Sequence, residues 1–155
     1  MPKLDLEAIP QTNATGYPAP HDKAVQGRWY RRLAPAAGLT RMGASHVVLK
    51  PGAWSSQRHW HSAEDELVVM LEGEAVLVED DGEIIVRTGD VLAWPAGETN
   101  GHHLQNRSDT DCVFVAIGAG PKDEDSGEYP DIDMVFDAEG YARKDGTRYP
   151  AKRTP

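Results

Sequence analysis

His59-Trp60-His61 sets two imidazoles two residues apart. On an extended strand such residues point to the same face, so both rings can reach one metal ion while Trp60 turns the other way. Glu66 follows after a short turn and opens the next apolar run. Its parity matches Val68 and Met70, which places its carboxylate on the inward face. A buried carboxylate is costly unless it is paired or bound to a metal. Alone, His-x-His is also the pattern of an ordinary surface pair; the glutamate adds only moderately to the metal reading, and the rest of the pattern is what makes it strong.

The other candidate residues are more ambiguous. His102 and His103 are adjacent, so only one of them can share a given strand face. His46 alternates with Val48 and reads either as pocket wall or as a satisfied core histidine. Gln57, Val68, Met70 and Val76 occupy interior-compatible positions and form, with His46, the candidate pocket wall. Arg58 points away from its neighbour His59 by parity, and His21 reads as solvated. Trp54, Trp60 and Trp94 read as packing residues. Cys112 lies in the apolar run Cys112-Val113-Phe114-Val115-Ala116-Ile117 and reads as a buried, inert thiol. No Ser/His/Asp set, Gly-rich phosphate loop or CxxC is present.

These residues must be held by short strands. From Arg28 onward apolar runs alternate with turn signals: 40–50, 66–71, 74–78, 83–87, 91–94 and 112–117. Asp81-Gly82 separates two β-rich runs and predicts a hairpin with a type I′ turn, in which both central residues have positive φ. Pro51-Gly52, Gly73 and Gly89-Asp90 mark further reversals. Many short strands at this spacing predict an all-β sandwich or barrel. Residues 1–27 read as an N-terminal arm, 28–120 as the barrel and 121–155 as an extension packed on the barrel or on a partner. Within that extension, 122–127 reads as a solvated loop, Asp145-Gly146 as the turn of a small hairpin, and Lys152-Arg153-Thr154-Pro155 as a frayed tail.

The stretch from Gly52 to Asn106 resembles the cupin superfamily. Its first motif is a glycine, His-x-His, a glutamate and a glycine, matched here by Gly52, His59, His61, Glu66 and Gly73. Its second is a glycine, Pro-x-Gly, a histidine and an asparagine, matched by Gly89, Pro95-Ala96-Gly97, a histidine at 102 or 103, and Asn106. One extra residue lies between Gly52 and His59. Asn100 stands where the second motif usually has its histidine. A two-residue insertion keeps strand parity, and His102 precedes Asn106 by the motif's own spacing, which favours His102 over His103. The resemblance implies a double-stranded β-helix (jelly-roll) barrel holding one divalent ion on His59, His61, Glu66 and His102, with His103 the alternative ligand. Three imidazoles and a carboxylate suit Fe, Mn, Ni, Zn or Cu. An octahedral ion would keep two positions for water, a bidentate substrate or dioxygen.

The bulk properties bound the function. The chain has 155 residues, enough for one domain with a real core, and carries 25 acidic against 16 basic residues for a net charge of -9. That balance argues against nucleic acid and against an anionic membrane surface. A single cysteine excludes an intrachain disulfide. Residues 1–10 lack an apolar signal region, and no run is long enough to span a bilayer. A cytoplasmic protein is expected, paired as a homodimer through an apolar outer sheet with its arms crossing the interface. The expected function is a metal-dependent enzyme acting on a small polar molecule: an isomerase of a sugar or sugar phosphate, a dioxygenase, a decarboxylase or a lyase. The alternative is a non-catalytic module that binds or senses a small ligand. One barrel type supports all of these, so the fold alone does not choose.

Overall fold

The computed structural model describes residues 3–152. Twelve strands run in chain order: β1 (Gln11–Thr12), β2 (Arg28–Arg32), β3 (Gly43–Leu49), β4 (Asp65–Glu72), β5 (Glu74–Glu79), β6 (Gly82–Arg87), β7 (Val91–Trp94), β8 (His103–Gln105), β9 (Cys112–Ala119), β10 (Gly127–Tyr129), β11 (Met134–Asp137) and β12 (Gly140–Ala142). One helical turn, α1 (Leu33–Ala36), follows β2. Among the described residues no helix is long and apolar enough to cross a membrane. The tail expected to fray lies, beyond Lys152, outside the described residues. Lys152 itself pairs with Asp22 at 3.0 Å.

Two antiparallel sheets face each other, as expected of a cupin barrel. The larger has the order β1-β2-β3-β9-β4-β7 and the smaller β6-β5-β8. Register follows from side-chain alternation, because a slip of one residue would turn every apolar side chain outward. Tyr30, Val47, Phe114 and Met70 are paired in succession across β2, β3, β9 and β4, and form one inward row. The next row toward the mouth is Arg32, Ser45, Ala116, Val68 and Leu92. The last sets Gly118, Glu66 and Trp94 side by side. The inner rows are thus apolar, and polarity rises toward one end. Leu49, Met70, Leu77, Val86, Leu104 and Phe114 close the core between the sheets. Each such side chain contributes roughly 1.5–3 kcal/mol relative to exposure. The opposite face of the large sheet carries Arg31, His46, Val115, Val69 and Val91 in register. On it Val91 is 59% exposed.

The β5–β6 hairpin forms at the expected place but with a different turn. Glu79 pairs with Gly82, so the two-residue connection is Asp80-Asp81. Gly82 alone takes a positive φ, 134°, and no residue other than glycine does so among the described residues. A type I′ turn through Asp81-Gly82 is therefore replaced. The glycine begins the returning strand instead of sitting second in the loop.

The N-terminal arm and the C-terminal segment share a smaller core. Tyr17 and Val25 from the arm pack with Tyr129 and Met134 from the three-stranded sheet β10-β11-β12. Gln57 is tied into this region: its amide donates to His21 O at 2.9 Å, and its backbone N–H donates to the Tyr17 hydroxyl.

Candidate metal centre

His59 and His61 lie just before β4, in a segment that crosses the barrel mouth, and an antiparallel bridge joins His59 to His102. His59 N–H donates to His102 O at 3.3 Å, and His102 N–H donates to His59 O at 3.0 Å. Glu66, at the start of β4, faces Trp94 on β7. The side chains of His59, His61 and Glu66 bring their potential ligand atoms within 4.8 Å of one another. His102 stands outside that trio but touches it, its Nε2 2.6 Å from Glu66 Oε2.

The orientation of the rings follows from their other nitrogens. His59 Nδ1 donates to Gln57 O at 2.8 Å, and His102 Nδ1 donates to Asn100 O at 3.0 Å. His61 Nδ1 donates to Asp125 Oδ2 at 2.6 Å. A carbonyl or carboxylate can only accept, so each Nδ1 carries a proton and, in the neutral ring, each Nε2 presents a lone pair. Those Nε2 atoms converge: His59 and His61 are 3.1 Å apart, and His61 stands 3.5 Å from Glu66 Oε1. Four acceptors turned toward one another at such distances repel unless a cation lies among them. The donor set therefore fits a divalent ion.

Electrostatics favour the neutral ring at His59. Burial is the largest effect on His59 and brings its pKa down to about 4, although Glu66 opposes the shift. Burial would raise the Glu66 carboxyl, but His102 at 2.6 Å and the neighbouring imidazoles outweigh it and hold the group below its usual range. Trp94 stacks on His102 with ring centres 3.8 Å apart and planes 1° from parallel, and its indole N–H donates to Glu79 at 2.8 Å. Trp94 is thus packing, as expected, and what it packs is the His102 ring.

His103 turns away from the group. Its Nδ1 donates to Ser56 O at 2.8 Å, its Nε2 accepts from the Gln105 amide at 3.0 Å, and its ring packs edge-on against Trp54. Asn100, where the motif usually has its histidine, accepts the Asp80 N–H through Oδ1. Asn106 is fully buried and donates to Leu49 O and Thr110 O, so it pins a turn and does not face the cavity.

The five wall candidates separate. Val68 lines a cavity of about 450 Å³ together with His59, Glu66 and His102. Met70 sits deeper, 1% exposed, in the apolar core. Gln57 lies under the N-terminal arm, outside the cavity lining. Val76 and His46 are corrections of parity. Ala75 and Leu77 are the β5 residues that enter the core, and Val47 and Leu49 those of β3, which leaves 76 and 46 on the opposite faces. His46 is neither pocket wall nor satisfied: its Nδ1 is buried without a partner among the described residues.

The segment 122–127, expected as a solvated loop, supplies the residue that sequence reasoning missed. Asp125 is only 8% exposed; besides His61 it accepts the Ala63 N–H at 3.0 Å. The chain from 125 to 129 runs beside 60–63: Ser62 N–H donates to Ser126 O at 2.7 Å and Trp60 N–H to Glu128 O at 3.4 Å. A Cβ at Gly127 would collide with the Trp60 carbonyl, so the approach requires glycine there. Tyr129 lies against His59 at 5.1 Å and Phe136 against His61 at 5.1 Å. Arg58 points away from the imidazoles, as its parity predicts. It forms a two-pronged pair with Asp131 at 2.8 and 2.9 Å, pairs with Asp80, and donates to Gly101 O at 3.0 Å. The only sequence signal for this arrangement is Ser126-Gly127, small residues that allow two backbones to touch.

A family model described as Cupin domain matches residues 45–118. The chain is 42% identical to a sugar phosphate isomerase of the cupin superfamily from Silicibacter pomeroyi. That structure superposes with a TM-score of 0.89, covering 97% of this chain and 98% of the other. A protein of known structure from Acidithiobacillus ferrooxidans, 24% identical, shares the fold with a TM-score of 0.69 over 81% of each chain. The chain is also 33% identical over 73 residues to an oxalate-binding protein from Thermotoga maritima. That match takes in 47% of this chain and 58% of the relative's length. The chain belongs to the cupin superfamily.

Proposed function

We propose that this protein is a metal-dependent enzyme acting on a small polar molecule, and that its reaction is the isomerisation of a sugar or sugar phosphate. The observation that carries the metal reading is the convergence of the His59 and His61 Nε2 atoms on the Glu66 carboxylate, which His102 Nε2 also meets, each Nδ1 being fixed by an oxygen acceptor. His59, His61, Glu66 and His102 would hold one divalent ion; the bonds of His103 to Ser56 and Gln105 support His102 over it. A divalent ion so held supplies Lewis acidity toward a substrate oxygen. The protein's own part is to keep the imidazoles neutral and aimed, through Gln57 O, Asp125 and Asn100 O, and to offer a cavity of about 450 Å³ beside them.

Isomerisation is favoured among cupin reactions by the near full-length likeness to the Silicibacter pomeroyi isomerase. A second reading, a non-catalytic binding module, draws on the partial match to the oxalate-binding protein. We further propose a homodimer joined at the outer face of the large sheet, where Leu71 and Val91 stand exposed, and a cytoplasmic setting, which suits a single unpaired thiol. Elemental analysis of freshly purified protein should find one divalent ion per chain, and His61→Ala should lose it. Phosphorylated and free sugars should then be tested for proton exchange in D₂O with that ion present. Retention of the metal by His61→Ala overturns the assigned centre. A bound metal with no exchange on any sugar favours the binding module.

A further inference from the structure

We infer that the β2 wall of the cavity is an anion-recognition site, built by Arg28 and Arg32 and suited to a phosphate monoester. The inference rests on the reading of this cavity as the substrate site. Arg28, Tyr30 and Arg32 alternate along β2, so all three side chains face the barrel interior, and both arginines line the cavity with His59, Glu66 and His102. Trp29 and Arg31 point the other way, and Arg31 is neutralised there by Glu7 at 3.3 Å.

The two inward arginines have no such neutralisation. Arg31, Arg58, Arg87, Arg107 and Arg148 each pair with a carboxylate. Arg28 and Arg32 pair with none among the described residues, in a chain whose net charge is -9. Two positive charges in a concave, partly apolar site concentrate a positive potential there. Arg28 is also fixed in place. Its Nη1 donates to Ser55 O at 2.9 Å and its Nη2 to Ala14 O at 3.4 Å, while its plane lies over Tyr30. Its Nε–H is buried and has no partner among the described residues. A buried donor without an acceptor is costly, and an oxyanion would reach it once the side chain shifts toward the cavity.

Arg32 sits nearer the mouth, exposed, in the same rung as Ser45. Ser45 and Ser56 add hydroxyls to the lining. Two guanidinium forks and neighbouring hydroxyls match the charge and the several acceptor oxygens of a phosphate dianion. A small substrate could then place its phosphate on Arg28 and Arg32 and its reacting oxygens toward Glu66 and the imidazoles.

The test is calorimetric titration of inorganic phosphate into the full-length protein freed of metal by chelation, so that a metal-bound anion cannot contribute. Saturable binding is expected at concentrations on the order of 10 mM or below. Arg32→Ala, which removes no hydrogen bond within the protein, should weaken it about tenfold, and Arg28→Gln by at least as much. His61→Ala should leave the affinity within about twofold, since His61 is not among the residues lining the cavity. Circular dichroism of each variant checks that the barrel persists. Absence of saturable binding in the metal-free wild-type protein, or unchanged affinity in Arg32→Ala, overturns the inference. Tighter binding of malonate than of phosphate overturns the assignment to a phosphate. If His61→Ala retains metal while phosphate still depends on Arg32, the metal assignment fails and the anion site stands.

Discussion

Asp125→Asn should weaken metal binding without unfolding the barrel. One carboxylate oxygen accepts His61 Nδ1–H at 2.6 Å and the other accepts Ala63 N–H at 3.0 Å. An asparagine is the same size but has a single acceptor oxygen. If that oxygen stays on Ala63 N–H, the new amide group faces His61 and favours the tautomer with the proton on Nε2, which directs a hydrogen at the ion. If the oxygen turns to His61, Ala63 N–H meets a donor. The lost hydrogen bond is charge-assisted and largely buried, worth about 1.5–3 kcal/mol. That range corresponds to roughly 10–150-fold in affinity, in line with the 10–100-fold typical of groups that orient a ligating histidine. Competition against a chromophoric chelator, run side by side on wild type, Asp125→Asn and Asp125→Ala, measures it. A wild-type affinity in Asp125→Asn, with the barrel intact by circular dichroism, would refute the argument that this carboxylate sets the tautomer of His61.

His102→Ala should empty the centre or reduce its occupancy sharply, whereas His103→Ala should leave metal content near wild type. Elemental analysis returning the reverse pattern would mean that the second motif had been placed one residue out of register. Metal-free protein should lose stability as pH falls from about 6.5 toward 4. Burial lowers the pKa of His59 to about 4, and that of His103 in the same direction, so the unfolded chain binds more protons across that window. For His59 the full shift amounts to at most about 3 kcal/mol, less where cavity water screens the ring. Urea midpoints for wild type and His59→Gln should therefore converge as the pH is lowered, and parallel curves would contradict this. Cys112, whose thiol burial raises to about 11, should not react with a disulfide reagent at pH 8 until the protein unfolds.

The barrel was legible because its signals are local. Strands such as Cys112–Ala119 and Gly43–Leu49 show their period of two in sequence, and glycine punctuation separates β4, β5 and β7. Parity then carried Glu66 to the inward face and separated His102 from His103. Parity failed where its phase had no anchor. Parity puts Val76 inward although Ala75 and Leu77 fill the core, because an unbroken run of apolar residues does not reveal which alternate set is buried. The turn at Asp81-Gly82 failed for a related reason. A hairpin signal locates the reversal, but whether the glycine closes the loop or opens the next strand depends on cross-strand register, which here pairs Glu79 with Gly82.

What could not be read is everything that depends on contacts distant in sequence. His61 is held by Asp125, 64 residues away, from a run of acidic and small residues whose local features match any solvated loop. Arg28 and Arg32 offered no sequence reason to face a cavity until β2 was seen to pair with β3. Both cases run against the usual weighting of polar residues in polar surroundings. In Asp125 the charge is buried because a ring nitrogen and a backbone amide replace its water. In Arg28 the charge faces inward because two backbone carbonyls hold it there. The motif names atoms suited to hold an ion, but the segments outside it, one near each end of the chain, set the tautomer of one ligand and the charge of the β2 wall. Any difference in substrate among chains with the same motif should therefore reside in those flanking segments.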